Sequence, residues 1–208
     1  MVKTLHEAAL PAIDASPERF ADGKIDAALR DVVQLYPPEL RSEQSADIMR
    51  TKMHIGLVAS HCGFAARVCD LGGGIGIFTP GCAAQGMKAT LVDDFEDEVN
   101  YQFSIDKVGV HKKLGVNVVS TDVLGDDLEF PSGSFDAVTT FDSMEHWHNS
   151  PKTLFHKVSR WLKPGGLFVL GGPNCVNLRK RLSVPFGHGK WSSMQDWYEA
   201  EKFRGHVR

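Results

Sequence analysis

Between residues 65 and 170 the chain alternates short apolar runs, rich in β-branched residues, with stretches of helical periodicity. The runs predicted to be strands are Arg67–Leu71, Lys88–Asp93, Val116–Ser120, Phe135–Phe141 and Leu167–Leu170. Strands that alternate with helices form parallel β-α-β units with right-handed crossovers. The sequence therefore predicts an α/β fold with a doubly wound parallel sheet, whose ligands bind beyond the carboxyl ends of the strands.

Composition places the chain among ordinary globular proteins. Its 208 residues are 42% hydrophobic and 24% charged, which favours one domain with appended segments. The net charge of −3 provides no basic excess for nucleic acid or for an anionic membrane. The N-terminus lacks the apolar core of a signal peptide, no apolar run could span a bilayer, and four scattered cysteines suit a reducing compartment. We therefore expect a cytoplasmic protein with no nucleic-acid partner and no transmembrane segment.

We expect three segments within this one globular domain. Residues 1–64 are expected to form a helical arm or lid, with one helix over Ile25–Leu35 and a second from Ser42 to Gly63. These helices either pack against the sheet or also close over a pocket. Residues 65–175 are expected to form the core that carries the sheet, and residues 176–208 a helical, aromatic cap.

A glycine-rich loop follows the first predicted strand. It consists of Asp70, Gly72, Gly74 and Gly76 with one residue between each. Glycines allow backbone N–H groups to approach a ligand and direct a helix N-terminus at it. The loop is neither a P-loop, which needs a Gly-Lys-Ser/Thr ending, nor the dinucleotide motif G-x-G-x-x-G, because Ile77 or Thr79 takes the last position. An acid at the strand end suits a ligand with a cationic amino group, so a nicotinamide oxidoreductase is disfavoured.

In order and spacing these segments resemble the class I S-adenosylmethionine-dependent methyltransferases, in particular the type 11 group. The matching segments are Val68–Gly76, Leu91–Asp93, Ser120–Val123, Ser134–Val138, Glu145-His146 and Leu162–Val169. The resemblance covers about residues 65–175. It implies a Rossmann-like sheet in the order 3-2-1-4-5 and a methyltransferase that uses S-adenosyl-L-methionine and releases S-adenosyl-L-homocysteine.

The resemblance also implies roles for individual residues in binding the cofactor. Asp70 and the backbone of Gly72, Gly74 and Gly76 should hold its methionine end. Asp93 should accept hydrogen bonds from both ribose hydroxyls, with Asp94 as a less favoured substitute.

At the adenine and sulfonium ends the resemblance implies three further contacts. Asp122 should accept from the adenine amino group with the Val123 backbone beside it, and Phe141 should line the cleft near the sulfonium. A simple turn or capping role is the alternative for Asp93 and Asp122.

The segment after the fourth strand, Phe141 to Asn149, should face the methyl acceptor. His148, or else His146, is the candidate general base, because a neutral imidazole suits proton transfer near pH 7. A structural or cofactor-lining histidine is the alternative. No metal site is expected, because no further ligands accompany Glu145 and His148. The acceptor is expected to be a small molecule methylated on oxygen, nitrogen or carbon, and the basic cluster Asn177–Arg181 makes an anionic or sugar-like acceptor a candidate.

Two departures from the family pattern affect these expectations. Pro80-Gly81 falls in the helix after the glycine loop and should shorten or distort its first turns. The chain after Asn174 is short and broken by Pro185 and several glycines, so the family's C-terminal antiparallel strand pair is expected to be absent. The edge of the fifth strand would then be open, or covered by a second copy or by a missing segment. A catalytically silent cofactor-binding subunit or fragment is therefore the alternative to an active enzyme.

Overall fold

The computed structural model describes residues 23–96, 108–147 and 149–172. Five parallel strands form one sheet in the order β3-β2-β1-β4-β5. The strands are β1 Arg67–Leu71, β2 Lys88–Asp93, β3 Asn117–Ser120, β4 Phe135–Phe141 and β5 Leu162–Gly171. The predicted fold class and strand order are confirmed.

The register of the strands brings the candidate residues to one edge of the sheet. Asp70 lies opposite Leu91 across the β1–β2 pair, and Asp93 at the end of β2 lies opposite Ser120 at the end of β3. Phe141 at the end of β4 lies opposite Gly171. Because β1, β2 and β4 are almost entirely buried, as parallel strands usually are, this register is strongly specified. The loops that follow the strands therefore meet at a single cleft edge.

Helices cover both faces of the sheet. On one face lie α1 Gly23–Gln34, α2 Pro38–Ala46, α3 Ile48–Cys62, α4 Phe78–Ala84 and α5 Gly109–Lys113. On the other face lies α6 Lys152–Trp161, which buries Leu154, Val158 and Trp161 against the sheet. The apolar spacing along α6 gives it one buried side, and Trp161 also donates through Nε1 to Glu129 at 2.7 Å.

The second N-terminal helix differs from its prediction. A single helix starting at Ser42 is wrong: α2 already begins at Pro38, and Asp47 separates it from α3. Proline is compatible with the first turn of a helix, so the Pro37-Pro38 pair that ends α1 also starts α2. The break at Asp47 turns α3 across β4 and β5, where the Cys62 thiol donates to the Asp136 carbonyl oxygen at 3.3 Å.

The start of the fifth strand also differs from its prediction. We expected residues 163–166 to separate helix and strand, but β5 begins at Leu162, directly after α6. Leu162 pairs with Phe135, whereas Leu167 pairs with Ala137, so the extra residues are accommodated as a bulge. Gly165, with φ of +77°, allows the backbone conformation that this bulge requires.

Several predictions concern residues outside the described ranges. They are the arm before residue 23, the cap at 176–208 and the missing antiparallel strands. Within residues 23–96, 108–147 and 149–172, β5 pairs with β4 and with no other strand. Among those residues no helix is both long and apolar enough to cross a membrane.

Candidate functional site

The glycine loop connects β1 to α4 and is held in shape by backbone hydrogen bonds. Gly72 N–H donates to the Val92 carbonyl oxygen at 2.8 Å, and Gly76 N–H donates to the Gly73 carbonyl oxygen at 3.1 Å. Gly72 and Gly74 have φ of +73° and +53°, a left-handed conformation that side chains rarely tolerate. The backbone conformation of the loop therefore accounts for glycine at positions 72 and 74.

Asp70 lies beneath this loop and is almost inaccessible to solvent, at 2% exposure. Thr139 Oγ1 on β4 donates to Asp70 Oδ1 at 2.6 Å, and a Cβ added at Gly73 would clash with the Asp70 carboxylate. The pKa of Asp70 is raised to about 7, chiefly by burial: the Thr139 hydrogen bond opposes this rise and the nearby Asp93 charge adds to it. A cation bound above the loop would favour the ionised carboxylate.

Asp93 joins the end of β2 to the glycine loop. Its Oδ2 accepts from Gly74 N–H at 2.8 Å and its Oδ1 from Phe95 N–H at 2.7 Å, with 8% of the residue exposed. Each carboxylate oxygen can accept a second hydrogen bond. Asp94, by contrast, is exposed and accepts from Glu96 N–H at 3.0 Å. The geometry therefore favours Asp93 over Asp94 as the acid of this cleft.

Asp122 and Val123 follow β3 at the same edge of the sheet. Asp122 Oδ1 accepts from Leu124 N–H at 2.8 Å, which closes a tight turn, and Val123 is buried in the core. The turn role considered for Asp122 is thus present in the structure.

The end of β4 is covered by α3, which the sequence did not indicate. The His54 ring stacks on Phe141 with centroids 3.7 Å apart and planes 2° apart, and Phe78 meets both rings edge-on. Arg50, one turn earlier on α3, forms an ion pair with Asp142, whose φ is +49°. Both groups are partly exposed, so this pair orients α3 more than it stabilises the fold.

His54 is held in its neutral form. The pKa of His54 is lowered to about 4, chiefly by burial: the Arg50 charge adds to this and the Asp47 charge opposes it. The spacing of Arg50 and His54, four residues apart on one helix face, was the available sequence signal. The apolar periodicity of this helix does not by itself indicate a role for these two polar residues.

The loop after β4 packs directly on the glycine loop. Ser143 lies so close that a Cβ at Gly72 would clash with it, and Trp147 Nε1 donates to Ser143 Oγ at 3.0 Å. His146 lies in the short 3₁₀ helix Met144–His146 at this edge, whereas His148 lies outside the described residues. Glu145 Oε1 is buried and has no hydrogen-bond partner in the described part of the chain.

No group of three or more His, Cys, Asp or Glu side chains that could hold a metal occurs within residues 23–96, 108–147 and 149–172. The described part of the cleft therefore presents carboxylates, backbone N–H groups and aromatic rings. Such an arrangement can bind a polar, cationic ligand beside an apolar second compartment.

Comparison with known proteins identifies the class to which this site belongs. Residues 21–207 match the model of a family described as a methyltransferase domain. The chain belongs to this methyltransferase family, and its resemblance to the class I S-adenosylmethionine-dependent methyltransferases is confirmed.

Two curated relatives match part of the chain. The ubiquinone biosynthesis O-methyltransferase of Dechloromonas aromatica (strain RCB) is 30% identical over 108 residues, which cover 52% of this chain and 44% of that protein. The chloroplastic 2-methyl-6-phytyl-1,4-hydroquinone methyltransferase 1 of Oryza sativa subsp. japonica is 31% identical over 109 residues, which cover 51% and 31%. The matched part thus spans less than half the length of either relative.

Among solved structures, the PH0226 protein of Pyrococcus horikoshii OT3 superposes with a TM-score of 0.50 at 23% identity. The superposition covers 80% of this chain and 69% of that chain. This likeness concerns the fold alone.

Proposed function

We propose that the protein transfers a methyl group from S-adenosylmethionine to a small-molecule acceptor and releases S-adenosylhomocysteine. One observation carries this proposal: the glycine loop donates a hydrogen bond to Asp93, and the carboxyl of Asp70, whose pKa is raised, is buried beneath the loop. When bound, the cofactor supplies an electrophilic methyl group on a cationic sulfonium. The cationic amino end of the cofactor would compensate the desolvated Asp70 carboxylate, so the residues present fit the ligand.

We assign the cofactor contacts as the resemblance implies them. Asp70 and the backbone of residues 72–76 would hold the methionine end. Asp93, which also accepts from the Gly74 and Phe95 N–H groups, would accept from the ribose hydroxyls through its two carboxylate oxygens. Asp122 and Val123 would border the adenine, and the Asp122 turn would present the second carboxylate oxygen to it.

The acceptor compartment would lie at the ends of β4 and β5. There the stacked rings of His54 and Phe141 would exclude water from the path of the methyl group. An electron pair of the acceptor would form the new bond to the methyl carbon while the carbon–sulfur bond breaks and its electron pair stays on the sulfur of S-adenosylhomocysteine, and any proton displaced would pass to a base. His148, or else His146, is our candidate for that base. If so, His148→Ala lowers kcat far more than it weakens cofactor binding.

The curated relatives favour small acceptors. Their names refer to ubiquinone biosynthesis and to a hydroquinone, which supports an aromatic hydroxyl or ring carbon as the methylated group. We also propose that residues 1–64 form a lid over the core at 65–175 and that residues 176–208 form a cap. An anionic or sugar-like molecule is a second candidate acceptor. We further propose that the protein is cytoplasmic and that a second copy or further sequence covers the edge of β5.

The test combines binding and turnover. Calorimetry should detect S-adenosylmethionine and S-adenosylhomocysteine and should detect no binding of NADH. Labelled cofactor incubated with cell extract should then yield S-adenosylhomocysteine and a labelled metabolite. Binding without any turnover would favour the catalytically silent alternative, and binding of NADH alone would overturn the proposal.

A further inference from the structure

Tyr36 connects the N-terminal helices to the glycine loop. It lies between α1 and α2, is 2% exposed, and donates from its hydroxyl to the carbonyl oxygen of Gly76 at 3.1 Å. The other described hydrogen bonds of the loop come from within residues 72–76 or from β2, and the buried His111 ring on α5 also faces the Gly76 backbone. Within the described residues, Tyr36 is therefore a contact through which the N-terminal helices act on this loop.

Tyr36 is itself held firmly in place. Its N–H donates to the Val33 carbonyl oxygen at 3.1 Å, and its own carbonyl oxygen accepts from Arg41 Nε at 2.8 Å. Arg41 on α2 also donates to the Gln34 carbonyl oxygen at 2.9 Å. The junction of α1 and α2 thus presents the hydroxyl in one orientation.

The hydrogen bond fixes the orientation of a particular peptide. In a planar trans peptide the carbonyl and the N–H point in opposite directions, so a Gly76 carbonyl aimed at Tyr36 aims the Ile77 N–H away from it. Ile77 directly precedes α4, so this peptide joins the glycine loop to the helix. Burial raises the pKa of Tyr36 well above its usual value, so its hydroxyl stays a donor wherever the protein is folded.

We propose that Tyr36 is a positioning residue for the cofactor loop, through which the N-terminal helices set the affinity for S-adenosylmethionine. This inference rests on the proposed function. Because coupling is reciprocal, a ligand that needs the aligned loop also stabilises α1, α2 and α3.

The experiment compares Tyr36→Phe with Thr140→Val. Tyr36→Phe removes only the donor to Gly76, whereas Thr140→Val removes a fully buried hydroxyl on β4 that has no hydrogen-bond partner in the described chain. Calorimetry with S-adenosylhomocysteine should show about fivefold weaker binding for Tyr36→Phe, as expected for one lost hydrogen bond. The Thr140→Val control should bind as the wild type does.

A second measurement separates positioning from simple destabilisation. Hydrogen exchange should show that S-adenosylhomocysteine protects the amides of α1, α2 and α3 in the wild type, and that Tyr36→Phe reduces this protection. Arg41→Ala, which leaves the hydroxyl intact but loosens its support, should weaken binding in the same direction and serves if Tyr36→Phe does not fold.

The outcomes distinguish this inference from the proposed function. Wild-type protein that binds neither cofactor form would refute the proposed function. The role of Tyr36 alone would be overturned if the wild type binds S-adenosylhomocysteine, both variants bind it with an affinity within twofold of the wild type, and the ligand protects the amides of α1, α2 and α3 equally in all three proteins.

Discussion

Replacing Asp70 with Asn should make the protein more stable at alkaline pH while weakening its cofactor binding. Asn keeps an oxygen that can accept from Thr139 but carries no charge into the buried position beneath the glycine loop. The stabilisation should therefore grow with pH, because only the wild-type carboxyl must ionise without solvent.

The magnitude follows from the pKa of Asp70. The folded value is about 7 and the unfolded value 3.8, so the folded wild type holds more protons between these pH values and loses stability as pH rises through them. At about 1.4 kcal/mol per pK unit, the free energy of unfolding of Asp70→Asn relative to wild type should rise by about 3 kcal/mol between pH 5 and pH 8.

The assay is urea unfolding of both proteins, without cofactor, at several pH values in that interval. Burial lowers the pKa values of His54 and His111 to about 4, so these histidines make stability rise with pH below about 6.5. They contribute equally to both proteins and cancel in the difference. A difference that stays constant from pH 5 to pH 8 would show that the Asp70 carboxyl titrates normally and would refute the reasoning.

Three further predictions concern other buried positions. Asp93→Ala should weaken S-adenosylmethionine binding about 5- to 150-fold by calorimetry, and should also lower stability because two backbone N–H groups lose their acceptor. Gly81→Ala should lower stability by about 1–3 kcal/mol in thermal unfolding, since its Cβ would lie 2.6 Å from Leu29 Cδ2 and 2.8 Å from Ile55 Cδ1. Relative to wild type, His111→Leu should gain stability as pH falls from 7 to 5, because burial lowers the pKa of His111 to about 4 and the wild type therefore loses stability over that interval.

Each of these has a clear contrary result. Asp93→Ala binding within twofold of wild type would exclude a ribose role for that carboxylate. An unchanged melting temperature for Gly81→Ala would show that Leu29 on α1 and Ile55 on α3 can move aside without a loss of stability. A stability difference between His111→Leu and wild type that stays constant from pH 7 to pH 5 would refute the lowered pKa of His111.

The sequence indicates that Pro80-Gly81 affects the start of α4, but the reason for each residue is visible only in the structure. We expected this pair to disturb the helix after the glycine loop. The helix begins at Phe78, so Pro80 lies in the first turn, where its missing N–H costs nothing. Gly81 is needed for a tertiary reason, the close approach of Leu29 and Ile55.

The strands and the glycine loop could be predicted from the sequence because their signals are local. Short apolar runs between breakers place β1, β2 and β4 at their observed bounds, and glycines at alternate positions mark the left-handed backbone of the loop. The acids at the strand ends then meet because parallel strands finish at one edge.

What the sequence could not decide is which surfaces the N-terminal helices meet. Helical periodicity identifies the buried face of α1 and α3, but not the element against which that face packs. Only the tertiary structure shows that Tyr36 contacts the Gly76 carbonyl and that His54 stacks on Phe141. Likewise, only the pairing with β4 shows that residues 163–166 form a bulge within β5. These contacts join residues far apart in the chain, and their geometry depends on the packing of the whole domain.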